Sequence, residues 1–179
     1  MLKQRVITAV AIVVPLLAAL VWLEPAPLMA LFALVVVGAA WEWSDMSGIR
    51  APGLRGLYCL IVAAGKIGRA SAGMTGFAFQ ANLFNAVPNI ELIRDAMHVA
   101  VIFWAIALLW VMGYPGSAGL WGSVAVRALM GLVVLLPTWL ALYYLRVQGQ
   151  GALLILYVLV VVVAADVGAY FAGRAWGRA

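Results

Sequence analysis

Four side chains near the end of this 179-residue sequence recur every four positions: Asp166, Tyr170, Arg174 and Arg178. In a helix, residues four apart share one face. A carboxylate, a phenol and two guanidiniums in one row suit a phosphate-bearing ligand or a metal–phosphate complex, because a guanidinium meets phosphate oxygens in pairs. Asp166 gives the row its weight. It follows the very apolar stretch that includes Val160 to Val163. A carboxylate at membrane depth costs about 3 kcal/mol on insertion scales, which makes it a functional candidate by default. A second reading fits the same residues. Asp166 would be hydrated at an interfacial helix end, with both arginines snorkelling to lipid phosphates. Spacing alone leaves both open.

The remaining candidates are weaker. Gly173 and Gly177 have small-residue spacing and, with Gly168, are expected to admit a neighbouring helix rather than a ligand. Glu42 lies near the end of an apolar run, which favours an interfacial position. His98 is the sole histidine, so a metal role there is not expected. Cys59 is the sole cysteine, which excludes an internal disulfide and a cysteine-based zinc site. Tyr114-Pro115-Gly116-Ser117 reads as a turn. The sequence has no Gly-rich loop ending in Gly-Lys-Ser/Thr, no His-Glu-x-x-His and no Gly-x-Ser-x-Gly. Six acids spread this thinly do not make a catalytic constellation, and no metal ligand is assigned.

The elements that position these residues follow from composition. The chain is 68% hydrophobic and 9% charged, against about 45–50% and about 25% in soluble domains. Lipid requires backbone polar groups to be satisfied internally, so a spanning chain is helical or a closed barrel. The apolar runs are long and continuous rather than short and alternating, which predicts an all-α, polytopic transmembrane helical bundle in a single membrane domain over 1–179. The predicted spans are 6–23, 28–44, 98–112, 124–145 and 152–171, with a doubtful sixth over 57–79. The first is read as a retained span because it exceeds a signal-peptide core. Pro25 and Pro27 separate it from the second. Leu57 to Ala64 is too short to cross alone, and Gly65 to Gly76 is rich in glycine and carries Lys66 and Arg69.

Net charge is +5, and the basic residues sit singly between apolar runs. That placement suits topology and lipid head groups, and nucleic acid is not an expected partner. With six spans and an internal N-terminus, seven basic residues (Lys3, Arg5, Arg50, Arg55, Arg127, Arg174, Arg178) lie inside. Four (Lys66, Arg69, Arg94, Arg146) lie outside.

Several segments together resemble a known family. Met1 to Ala9, Trp41-Glu42-Trp43, Tyr114 to Ala118, Leu136-Pro137-Thr138-Trp139 and above all Ala165 to Arg174, continuing to Gly177-Arg178, are similar to bacterial phosphatidate cytidylyltransferases, also called CDP-diacylglycerol synthases. The resemblance covers nearly the whole chain and is weakest from about Gly65 to Asp95. It implies transfer of CMP from CTP to phosphatidic acid with release of pyrophosphate, magnesium for the complete enzyme, and a multi-pass protein of the bacterial inner membrane with its site facing the cytoplasm. Membrane lipids are then partners, and the resemblance leaves room for a homodimer. It places Asp166, Tyr170, Arg174 and Arg178 at the substrate-binding edge of that site. The family's signature includes a Lys-Asp pair, a His-Gly-Gly stretch and an Asp-Arg-x-Asp ending with the metal-binding acids, and none of these occurs before Ala179. The resemblance therefore implies the N-terminal part of a longer enzyme, with its main catalytic acids beyond Ala179, and inactivity of this chain alone. Two other functions compete with this one: a non-catalytic membrane scaffold or lipid-binding module, and a small transporter with Asp166 as its ion site. The transporter lacks the support of an internal repeat.

Overall fold

The computed structural model describes residues 2–65 and 90–177, and no strand occurs among them. The helices are α1 (Leu2–Trp22), α2 (Pro25–Met46), α3 (Pro52–Gly65), α4 (Ile90–Met112), the single turn α5 (Ala118–Trp121), α6 (Val124–Val147) and α7 (Gly151–Trp176). Stretches of four of them are long and apolar enough to cross a membrane: Pro27–Met46, Ile90–Met112, Val124–Val147 and Gly151–Trp176. Val13–Trp22 and Pro52–Ala64 are shorter apolar helices.

The boundaries differ from the predicted runs for physical reasons. Pro25 and Pro27 do mark the break after α1, but from inside the first turn of α2. A missing N–H costs nothing there. α4 begins at Ile90 rather than His98, with Glu91 in its first turn. A carboxylate there favours the positive end of the helix dipole. Hydropathy registers only the apolar part, whereas backbone hydrogen bonding carries the helix through polar residues outside it. The doubtful span over 57–79 begins within α3, and its part from Lys66 onward lies outside the described residues.

The chain divides into two compact units, 1–24 with 145–179, and 25–144. In the first, α1 packs on α7. Ala19, Leu20 and Ile155 are buried. The Arg146 guanidinium donates to the Leu23 carbonyl at 3.2 Å.

In the second unit, Leu28, Phe32, Val36, Ala40 and Ser44 are buried. Their spacing of four draws one stripe along α2, while Leu34 and Val35 on other faces are exposed. α3 packs on α2, with Tyr58 and Val62 buried. Helices in lipid gain little from apolar burial against one another, so close approach and hydrogen bonds matter more. Two such bonds reach α6. Trp43 Nε1 donates to the Arg127 carbonyl at 2.8 Å, and the Tyr58 hydroxyl donates to the Ala128 carbonyl at 2.9 Å. Both side chains lie over Gly131, where a side chain would collide with them.

Candidate functional site

Asp166, Tyr170 and Arg174 all belong to α7, which runs unbroken to Trp176. Asp166 is therefore inside the helix, nearly three turns before its end at about 3.6 residues per turn. The row keeps its predicted register. Asp166 and Arg174 are separated by about 12 Å along the axis at about 1.5 Å per residue. All three residues are exposed. No side-chain hydrogen bond or ion pair links them to one another. The Tyr170 ring meets Phe171 edge to face, with centroids 5.5 Å apart. Arg178 lies outside the described residues.

Among the described residues no side chain packs against Gly168 or Gly173. A side chain at Gly168 or Gly173 would meet nothing within 4 Å. Gly177 ends the helix, its N–H donating to the Gly173 carbonyl at 2.9 Å. The described residues bring no neighbouring helix against this face, so the glycines leave it open.

The chemistry open to the row is recognition more than catalysis. Arg174 can bind a phosphate through paired N–H groups. The Tyr170 hydroxyl can donate one hydrogen bond, and the Asp166 carboxylate can accept from a sugar hydroxyl or neutralise a cation. No three residues among His, Cys, Asp and Glu come together within the described residues.

A second polar group, not foreseen in the sequence, gathers where α2, α3 and α6 meet. Arg55, counted above only as a topological charge, is its centre. Its Nε donates to Ser44 Oγ at 3.1 Å, Nη1 to Asp45 Oδ1 at 3.1 Å and Nη2 to the Trp41 carbonyl at 3.0 Å. Its guanidinium carbon stands 4.2 Å from the centre of the Trp41 ring. Arg127 reaches the same helix end, donating to the carbonyls of Met46 at 3.5 Å and Gly122 at 2.9 Å. Cations at a helix C-terminus complement its unsatisfied carbonyls and dipole. Gly48 then reverses the chain at φ 91°, in the left-handed region. Ser44, Asp45 and Ser47 beside an arginine ten residues on were the available signal, and it is weak. These bonds explain the group as a structural cap, and Glu42 beside it is exposed.

The cap makes a prediction. Asp45 is 64% exposed, so its ion pair with Arg55 is worth little. The bonds to Ser44 and Trp41 and the ring contact carry more. Arg55→Gln is expected to cost about 1–3 kcal/mol, and Asp45→Asn under about 1 kcal/mol. Arg55→Lys should recover little, because an ammonium cannot serve a planar fork and stack on a ring together. Denaturation followed by helical circular dichroism in detergent compares the three. Equal losses for Arg55→Gln and Asp45→Asn would show that the ion pair dominates.

The comparison that decides the family is a model described as the cytidylyltransferase family, which matches residues 3–179. This chain belongs to the cytidylyltransferase family. It is 33% identical over 178 residues to a phosphatidate cytidylyltransferase of Pseudomonas aeruginosa, covering 99% of this chain and 59% of that protein. It is 30% identical over 189 residues to a phosphatidate cytidylyltransferase of Haemophilus influenzae, covering 99% of this chain and 62% of that protein. The chain thus spans about three fifths of the length of these relatives. No solved structure matches it. Asp166, Tyr170 and Arg174 lie within the range that the family model matches.

Proposed function

We propose that this chain forms part of a phosphatidate cytidylyltransferase, which transfers CMP from CTP to phosphatidic acid. A lipid phosphate oxygen bonds to the α-phosphorus of CTP, the bond from that phosphorus to the bridging oxygen breaks, and pyrophosphate leaves. The observation that carries this reading is that relatives bearing that name match 99% of the chain. The long apolar helices support it, since one substrate is a lipid.

In this reading Arg174, extended by Arg178, holds phosphate oxygens of the nucleotide. Tyr170 donates a hydrogen bond beside them, and Asp166 orients the sugar or a bound cation. The C-terminal end of α7 then faces the bacterial cytoplasm, where CTP is found. Magnesium is proposed for the whole enzyme, with ligands beyond those described here.

The test is CTP-dependent labelling of lipid. The chain is joined to the part of the Pseudomonas aeruginosa relative that it does not span, and expressed in membranes lacking their own activity. Given phosphatidic acid, magnesium and α-labelled CTP, these membranes are expected to move label into a lipid product. Label that fails to appear from a stably inserted chimera would count against the reading. Label that appears without phosphatidic acid would change the acceptor.

A further inference from the structure

From Ala96 to Val126 the sequence has no Asp, Glu, Lys or Arg. That stretch contains the whole connector 113–123 between α4 and α6, both long and apolar enough to cross a membrane. The other described connectors are polar: Glu24 lies between α1 and α2, Arg50 between α2 and α3, and Gln148-Gly149-Gln150 between α6 and α7. A connector in water gains from charge, whereas this one presents Leu120 and Tyr114, each 65% exposed.

Its backbone is also bonded to itself. The N–H groups of Gly113, Tyr114, Ser117, Ala118 and Leu120 donate to the carbonyls of Leu109, Val111, Gly113, Pro115 and Ser117 at 2.9–3.3 Å. Ser117 Oγ donates to the Trp110 carbonyl at 2.6 Å, and Ser123 Oγ accepts from the Val126 N–H at 3.2 Å. Internal satisfaction is what a water-poor layer demands of a turn, and water does not demand it. Trp110, Tyr114 and Trp121 supply aromatic rings of the kind that collect at the membrane interface. The first charge after the connector is Arg127, a cation bonded to the Gly122 carbonyl at 2.9 Å. A cation suits a layer of lipid phosphates.

We infer that the connector 113–123 is seated in the phospholipid head-group layer, with Leu120 and Tyr114 turned toward the acyl chains. Its partner is the bilayer, not bulk water and not another protein segment.

Site-specific fluorescence tests this. Leu120→Cys and Tyr114→Cys are made separately in the full chain with Cys59→Ala, and labelled with an environment-sensitive nitrobenzoxadiazole dye. The protein is placed in phosphatidylethanolamine–phosphatidylglycerol vesicles. Gly149→Cys in the polar connector is the reference, since its position is open. Positions 120 and 114 are expected to emit further to the blue than 149. They should be quenched several-fold more by lipid spin-labelled near the head group than by aqueous iodide. Iodide quenching at 120 and 114 equal to that at 149 would place the connector in water. Blue emission that neither quencher reaches would place it under protein. Either result overturns the inference, and agreement between the two positions guards against a local fault in one variant.

Discussion

Gly131→Ala is expected to destabilise the second unit by about 1–3 kcal/mol, the usual cost of overpacking a close contact. The sign is informative because the intrinsic effect runs the other way. Alanine in place of glycine inside a helix gains up to about 1 kcal/mol of propensity. Gly38 in α2 provides the reference, since a side chain there meets nothing within 4 Å. Gly38→Ala should be neutral or stabilising. At Gly131 the added carbon falls on the Tyr58 hydroxyl and the Trp43 indole, and both are held in place. Each donates to an α6 carbonyl beside the glycine. Neither ring can retreat without releasing its bond. Tyr58→Phe removes one obstacle, so the cost of Gly131→Ala should shrink in that background. The Trp43 obstacle keeps it from vanishing. Unfolding in mixed micelles, read by tryptophan fluorescence, gives the four values of the cycle. Equal effects of alanine at 131 and 38 would show that the α2–α3–α6 contact is loose.

The sequence makes the helices legible because hydropathy in a bilayer leaves few alternatives. It places the runs 28–44, 124–145 and 152–171 within about five residues of α2, α6 and α7, and it finds α4 apart from its polar start. It does not reveal the joint at Gly131. That joint depends on Trp43, Tyr58 and Gly131 meeting across three helices, and their separations of 15 and 73 positions carry no periodic signal. Arg55 and Arg127 were visible only as loop charges, because a count of charges says nothing about which carbonyls they reach. The Asp166 row is the converse case. Its register was readable from spacing four, yet its role depends on what faces it, and spacing does not encode that.

The second large effect concerns that role. In the labelling assay, Asp166→Asn is expected to lower transfer by about 100-fold, or about 2.7 kcal/mol of barrier. Losses of that size follow when a carboxylate that fixes the neutralising cation or the sugar is removed, because the electrostatic stabilisation of the phosphates then loses its alignment. Asparagine keeps the shape and removes the charge, so the loss reports the carboxylate itself. Glu42→Gln removes an exposed acid of α2 and should leave transfer within about twofold, as surface changes away from a site do. Arg174 then separates the two readings of the row. An arginine that only snorkels is replaceable by lysine, because either long side chain delivers a cation to lipid phosphate. An arginine that holds a nucleotide phosphate through two N–H groups is not. Arg174→Lys is therefore expected to lower transfer at least about 10-fold, the worth of about 1.4 kcal/mol in lost paired bonding. Full activity in Arg174→Lys together with full activity in Asp166→Asn would make the row an interfacial anchor. Loss in Asp166→Asn alone would keep the carboxylate in the site and move the phosphate contact elsewhere.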